Sequence, residues 1–439
     1  MTEKQFSRRE FLRVTGAGAS AALLAACQPP PVKVEKVDEV VVTAPPMEPV
    51  TIGVMTWFNH PFKDLLPQFK DSNPDIDVEF IDSGDGYSAK VATALASGSE
   101  LADIAGAQDN QIKLWADTGG MADISEYMAP YEDKIVPYKL ANSTYQGKTY
   151  GIPWDGSPCL LYYRRDVCEQ YNIDPEAIET YDDWLAVGQQ LVGQSDNKHR
   201  LTGLEKTNYF PSLNWIRQQG GGLYDLEGMK VIIDAPEAVE TLEFLKTLWD
   251  SDTIFQNMDM WGTQQASYKD GSSAIFPQAI WMANSIKGNA PETAGKWGVA
   301  PLPAWVRGDS GTYTYGGSQL MIPITSKHKE EAFKFCEYSC LTQAGSEVLW
   351  TSGDLFPVLK DAENWEIINE QSDWYGGQAA LRMFAEANGK VTSYNFGIGW
   401  AEGRDIYTQA VGEVLNGDKT PEQALADAAK EIRDRQDLG

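Results

Sequence analysis

Between Val50 and Asp117, short apolar runs alternate three times with amphipathic stretches, and this alternation limits the architecture more than any other feature. Val50–Trp57 (VTIGVMTW), Ile76–Ser83 and Ala102–Ala107 read as strands, being short, apolar or alternating, and bounded by turn residues. Pro61–Ser72 places Phe62, Leu65, Leu66 and Phe69 on one face and reads as a helix perturbed by Pro67. Helices over Ser88–Ser97 and around Gln111–Asp117 complete a βαβαβα order, which predicts an α/β fold with a parallel sheet covered on both faces. Such sheets bind ligands beyond the carboxyl ends of their strands. Those ends are Trp57-Phe58-Asn59-His60, Asp85-Gly86-Tyr87 and Gln108-Asp109-Asn110. Trp57, Asn59, Asp85, Tyr87, Gln108 and Asp109 are therefore candidate ligand contacts. Turn and N-cap chemistry would equally account for Asp85 and Asp109.

The stretch Tyr150–Asp166 (YGIPWDGSPCLLYYRRD) changes character midway. Pro153 and Pro158 remove backbone donors and bias Ile152 and Ser157 to extended conformations, so PWDGSP is excluded from helix and from the interior of a sheet. CLLYY then reads as a buried strand, with Asp166 placed to cap a following helix. Trp154 and Asp155 stand at the change. Two readings remain open at this level, a hinge between two lobes that carries ligand contacts and an ordinary surface turn.

About 390 residues follow the N-terminal segment, beyond the ~250–300 at which single cores stop growing, so two domains are expected. Gln146-Gly147-Lys148 reads as a hairpin turn. Tyr181–Gly193 and Leu213–Gln219 read as helices, and Asp234 with Pro236 as a helix start. Ser273–Phe276, Trp297–Leu302 and Thr312–Pro323 read as strands, and Lys329–Gln343, Gln378–Asn388, Glu402–Asn416 and Thr420–Arg435 as helices.

The composition excludes several classes. A formal net charge of −27 argues against nucleic acid. The three histidines have no metal-ligand spacing, and no G-x-S-x-G, Walker A loop, H-E-x-x-H or C-x-x-C occurs, so no catalytic residue, cofactor or metal is assigned. Paired carboxylates of a glycoside hydrolase carry no signal among 63 acidic residues. The positive signal is fourteen tryptophans, many beside Gly, Pro or Asn and outside helical apolar stripes. Indole faces stack on the C–H surfaces of sugars while amides and carboxylates bind hydroxyls. Trp57, Trp154, Trp215, Trp261, Trp281 and Trp400 are the candidates, whereas Trp184, Trp249 and Trp350 lie on helix faces and read as core. Cys159 and Cys168 flank a strand-to-helix turn and are either a disulfide or buried thiols; Cys336 and Cys340 are spaced poorly for a bridge.

The N-terminus resembles an export signal. Ser7-Arg8-Arg9-Glu10-Phe11-Leu12 is a twin-arginine pattern, and Val14–Ala26 is too short to span a bilayer. Leu24-Ala25-Ala26-Cys27 resembles a lipobox, which implies cleavage after residue 26, lipidation of Cys27 and attachment at the outer face of the cytoplasmic membrane. Residues 27–49, rich in Pro, Val, Lys and Glu, read as a flexible tether.

An ordered set of segments carries a wider resemblance, from about Thr51 to Arg435. The set is YQGKTYGIPWDGSPCLLYYRRDV, TYDDWLAVGQQL, IRQQGG, AIFPQAIW, WGVAPLP, YGGSQLMIP…EEAFKFCEYS and GWAEGRDIYTQAVGEVLNGDKTPEQALADAAKEI. It resembles the extracellular solute-binding proteins of sugar ABC importers, the class that includes maltose-binding protein. The resemblance implies a two-lobed periplasmic-binding-protein fold with two or more interlobe crossovers. Its lobes would be residues 48–154 with 316–350, and 155–315 with 351–439. It implies a mono- or oligosaccharide ligand, permease transmembrane subunits as partners, and a monomer. By the same resemblance Trp400 and Trp281 are sugar-stacking aromatics, Asn208-Tyr209-Phe210 is a ligand loop, Gln108-Asp109-Asn110 binds hydroxyls, and Gly316-Gly317-Ser318 lies at the second crossover. The first loop, Phe58-Asn59-His60, lacks the acidic and basic pair of maltose-binding protein, which leaves the sugar open. A polyol, a peptide or a polyamine clamped by Asp85, Asp109 and Asp155 remain the alternatives, and an enzyme reading survives only as a glycoside hydrolase without a recognisable signature.

Overall fold

In the computed structural model the described residues are 49–309 and 311–438. The signal at 1–26, lipidation at Cys27 and the tether up to residue 48 lie outside them. Eight strands build two main sheets: β1 (Val50–Met55), β2 (Ile76–Phe80), β3 (Ile104–Gln108), β4 (Gly151–Asp155), β5 (Cys159–Arg164), β6 (Ile275–Ala279), β7 (Trp297–Ala300) and β8 (Ser318–Met321). The first sheet has the order β2-β1-β3-β8-β4. β1 is parallel to β2 and β3 as the alternation predicts, but β8 runs antiparallel to both β3 and β4. The sheet is thus mixed, because β8 enters it from far along the chain, which no local pattern announces. Pro153 sits in β4, an edge strand, opposite Gln319 and beside a register shift between Ser318 and Gln319, as expected of a proline in a sheet.

Alternation along these strands sorts side chains to two cores. Ile52, Val54, Ile104 and Leu320 point to one face with Phe62, Phe69 and Phe335, while Met55, Ala105, Ala107 and Met321 point to the other with Val91, Leu95 and Trp115. The second sheet, β6-β5-β7, is antiparallel, with Leu161 and Tyr163 on one face and Leu160 and Tyr162 on the other.

Several element bounds differ from expectation. Pro67 divides 61–72 into helices His60–Asp64 and Leu66–Ser72, since proline cannot donate to the preceding turn. Asp166 lies inside the Arg165–Gln170 helix and pairs with Arg164 instead of capping it. The Pro236–Asp250 helix starts from Ala235, and Asp234 pairs with Arg433. Only Ser318–Met321 of 312–323 is strand, because Gly316 and Gly317 carry φ of 88° and 116°.

Three chain connections run side by side between the sheets. Gly156 N–H donates to Phe356 O (2.8 Å), Cys159 N–H to Tyr313 O (3.1 Å) and Tyr315 N–H to Ser157 O (3.2 Å). Residues 155–159, 313–318 and 354–356 thus form a laced strap, and PWDGSP is its central strand rather than a surface turn. All four described cysteines are buried and free, so Cys159 and Cys168 do not pair.

Candidate ligand site

A cavity of about 450 Å³ lies against this strap. Trp57 and Gln108 reach it from the carboxyl ends of β1 and β3, Trp154 and Asp155 from the end of β4, and Gly316-Gly317-Ser318 from the second connection. Trp261, Trp281, Asn284 and Ser285 face them from the second sheet's side, and Phe58, Gly353 and Leu355 complete the wall. The volume falls within the range of small-molecule sites.

The indoles come in two pairs. Trp57 and Trp154 have ring centroids 4.9 Å apart, braced by Tyr87 at 5.5 Å from Trp57 and Phe62 at 5.3 Å from Trp154. Gly106 makes this possible: a Cβ there would stand 3.0 Å from Trp57 and 3.4 Å from Trp154. Trp261 and Trp281 lie 5.9 Å apart, and the Trp281 Nε1–H is fixed on Tyr315 O at 2.6 Å. Trp57 is 40 % exposed and Trp261 66 %, so each pair offers indole surface to an incoming molecule. The buried Trp154 Nε1–H has no acceptor among the described residues.

Beneath the indoles lies a buried polar network. Asp155 Oδ1 accepts from Ser318 N–H (2.8 Å) and Oδ2 from Ser157 Oγ–H (3.2 Å). Lys139 Nζ donates to both oxygens of Asp109 (2.6 and 2.9 Å) and to Ser318 O (3.1 Å), and Gln319 Nε2 donates to Asp109 Oδ1 (2.7 Å). Burial raises Asp155 to about 6; Lys139 opposes the rise and Asp109 adds to it. Ion pairing and hydrogen bonds therefore join the connections that the cavity rests on. The left-handed φ of Gly317 belongs to the same design, since a side chain there would run into the Asp109 carboxylate.

Of the sequence candidates, Trp57, Gln108, Trp154, Asp155, Trp261, Trp281, Gly317 and Ser318 meet in this cavity. The others are engaged elsewhere. Asn59 Oδ1 accepts from Thr56 N–H and Oγ–H, Tyr87 Oη lies against Met55 O and Gly106 O, and Asp109 is the partner of Lys139. Asp85 is exposed and does not line the cavity. Trp215 is buried among Tyr181, Trp184 and Phe244, because its helix turns that face into the second core. Asn208 accepts from Phe210 N–H and Tyr209 stacks on Phe210 at 4.3 Å. Trp400, 3 % exposed, packs on Phe396 at 4.7 Å, and its Nε1–H has no acceptor among the described residues. Asn284 and Ser285 were missed, since on a helix of ordinary polarity nothing local marks them. Lys139, which carries the network, was missed because a single lysine in an amphipathic stretch signals a solvated face. Among the described residues no group of three or more His, Cys, Asp or Glu is placed to hold a metal, and no helix is long and apolar enough to cross a membrane.

Two α/β lobes, a strap of crossovers and a cavity against that strap define a periplasmic binding-protein fold. Residues 53–339 match the family of bacterial extracellular solute-binding proteins, and the chain belongs to that family, whose proteins act outside the cytoplasm. It is similar to the arabinooligosaccharide-binding protein of Halalkalibacterium halodurans, 24 % identical over 84 % of this chain and 85 % of that one. It is also similar to the lactose-binding protein of Rhizobium radiobacter, 24 % identical over 76 % and 80 % of the two chains. Among solved structures, an ABC transporter associated binding protein from B. animalis subsp. lactis, in complex with β-1,6-galactobiose, superimposes with a TM-score of 0.76 at 22 % identity. That match covers 88 % of this chain and 98 % of the other.

Proposed function

We propose that the protein captures a mono- or oligosaccharide outside the cytoplasm and delivers it to the transmembrane subunits of an ABC importer. The observation that carries this reading is the 450 Å³ cavity. Four indoles there meet amide, hydroxyl and backbone groups, with no lysine or arginine and one carboxylate already engaged. Aromatic faces beside a few fixed polar groups suit a polyhydroxylated ring. The relatives named for arabinooligosaccharide and lactose, and the neighbour holding galactobiose, support the same class. A polyamine finds less support, since Asp109 pairs with Lys139 and Asp85 does not line the cavity.

In this reading residues 49–154 with 316–350 form one lobe and 155–315 with 351–438 the other. A sugar touching Trp57 and Trp281 together binds the closed arrangement better than the open one and so shifts that equilibrium. No covalent bond is broken. The chain would act as a monomer, tethered through lipid on Cys27 after twin-arginine export.

Titration of tryptophan fluorescence with arabino-, galacto- and gluco-oligosaccharides, polyols and amines tests the reading. Saturable changes with one sugar class are expected; a response to amines alone overturns it. Chromatography of the sugar after incubation should return it unshortened.

A further inference from the structure

A second cavity, of about 560 Å³, opens between the Tyr145-Gln146 turn, Lys113 and the segments 226–229 and 393–398. A line of packed aromatic rings, with Tyr315, Trp400, Phe396 and Tyr394 buried, lies between the two cavities. Centroids are 6.0 Å apart from Trp281 to Tyr315, 4.7 Å to Phe210, 4.3 Å to Tyr209 and 6.0 Å to Trp400. The line continues 4.7 Å to Phe396 and 5.0 Å to Tyr394, which lines the second cavity.

The electrostatics differ between the ends. No lysine or arginine is among the described residues lining the first cavity, whereas the far end has two cations with no close ion pair among the described residues, Arg217 feeling the Asp109 carboxylate only at longer range. Lys113 Nζ donates to Asn395 Oδ1, a neutral acceptor, and burial lowers its pKa to about 8. Arg217, 6 % exposed, lies over the rings of Tyr394 (4.1 Å), Phe396 (4.8 Å) and Trp400 (5.2 Å). Among the described residues its guanidinium makes one long hydrogen bond, to Asn214 Oδ1 at 3.4 Å. Glu227 also lines the cavity, and among the described residues no ion pair joins it to either cation. Aromatic faces offset part of the cost of a buried guanidinium, but five donors sharing one weak acceptor leave most of its bonding capacity unused.

We propose that the second cavity is a distal subsite of the same ligand and takes a carboxylate, as carried by a uronic acid residue of an oligosaccharide. The inference rests on the sugar reading above. The carboxylate accepts from Lys113 Nζ, while Arg217 behind the Tyr394 ring holds positive potential at that end. The acidity of the whole chain does not oppose this, because charges more than a Debye length of ~8 Å away are screened at physiological salt.

The test is a matched set of ligands in calorimetric or fluorescence titration: xylotriose against the same oligosaccharide bearing glucuronic acid, and a galactotriose against trigalacturonate. The wild type should bind the acidic member of a pair about tenfold tighter or better. That ratio should fall toward one in Lys113→Met and in Arg217→Met, and should shrink as salt rises. Saturable binding of the neutral member with no acidic preference overturns the distal carboxylate subsite and leaves the sugar reading standing. An acidic preference that survives Lys113→Met equally overturns the assignment. Absence of binding by every sugar removes both readings together. If Arg217→Met fails to fold, the half-buried Lys113 variant decides the matter alone.

Discussion

Asp155→Asn gives the sharpest test of the strap. The carboxyl is buried, and burial carries it from 3.8 to about 6 despite the Lys139 ammonium nearby. An acid whose folded pKa lies above its unfolded value binds more protons in the native state between those pH values. Its contribution to stability therefore falls as pH rises from about 4 to 6, and the full cost applies above 6. At ~1.4 kcal/mol per pH unit the gap amounts to about 3 kcal/mol. The amide is isosteric and conserves both hydrogen bonds: its oxygen accepts from Ser318 N–H and its nitrogen donates to Ser157 Oγ. Removing the charge should thus stabilise the ligand-free protein near pH 7.5. With an unfolding entropy of ~0.8 kcal/mol/K for ~390 residues, the expected rise in Tm is ~4 °C. Differential scanning calorimetry of both proteins from pH 4 to 8 reads this directly. The two melting temperatures should converge near pH 4 and separate as pH rises. A gap that is independent of pH, or a less stable variant at pH 7.5, would refute the account of Asp155 as a strained charge at the junction.

Trp57→Ala and Trp281→Ala should each weaken sugar binding by about 2 kcal/mol, roughly 30-fold, while circular dichroism stays native; unchanged affinity in both would remove the indole pairs from the site. Lys139→Met leaves the Asp109 carboxylate buried without its cation and should cost ~3–5 kcal/mol in urea unfolding. A loss below ~1 kcal/mol would mean that water reaches Asp109. Cys159, Cys168, Cys336 and Cys340 are all buried, and burial raises Cys168 to about 12, so a thiol reagent should label none of them in the native protein and all of them in guanidinium.

Much of the architecture was legible in the chain itself, for a definite reason. Strand and helix periods are written in neighbours two to four residues apart, so β1, β2 and β3 and their intervening helices could be read from Val50–Asp117 directly. Pro153 and Pro158 ruled helix out of PWDGSP because proline limits the backbone wherever it stands, but they left hinge and surface turn both open. The tryptophan count and the absence of metal or nucleophile motifs indicated a binding chemistry. The direction of β8 was not legible, since it depends on where a distant segment re-enters the sheet.

The site divides along the same line. The sequence alone determined that Trp57, Gln108 and Trp154 stand at strand ends or connections, because those positions follow from local period and turn residues, whereas Ser318 was placed at a crossover only by the family resemblance. Only the tertiary structure decided that Trp215 and Trp400 turn into the second core, that Asp109 belongs to Lys139, and that Arg217 is left facing aromatic rings. Burial and pairing are properties of residues far apart in the chain: Lys139 meets Ser318 across 179 positions and Asp155 meets it across 163. No short-range pattern records which distant group will lie beside a side chain, and that neighbour sets whether a carboxylate serves a ligand or the frame that holds one.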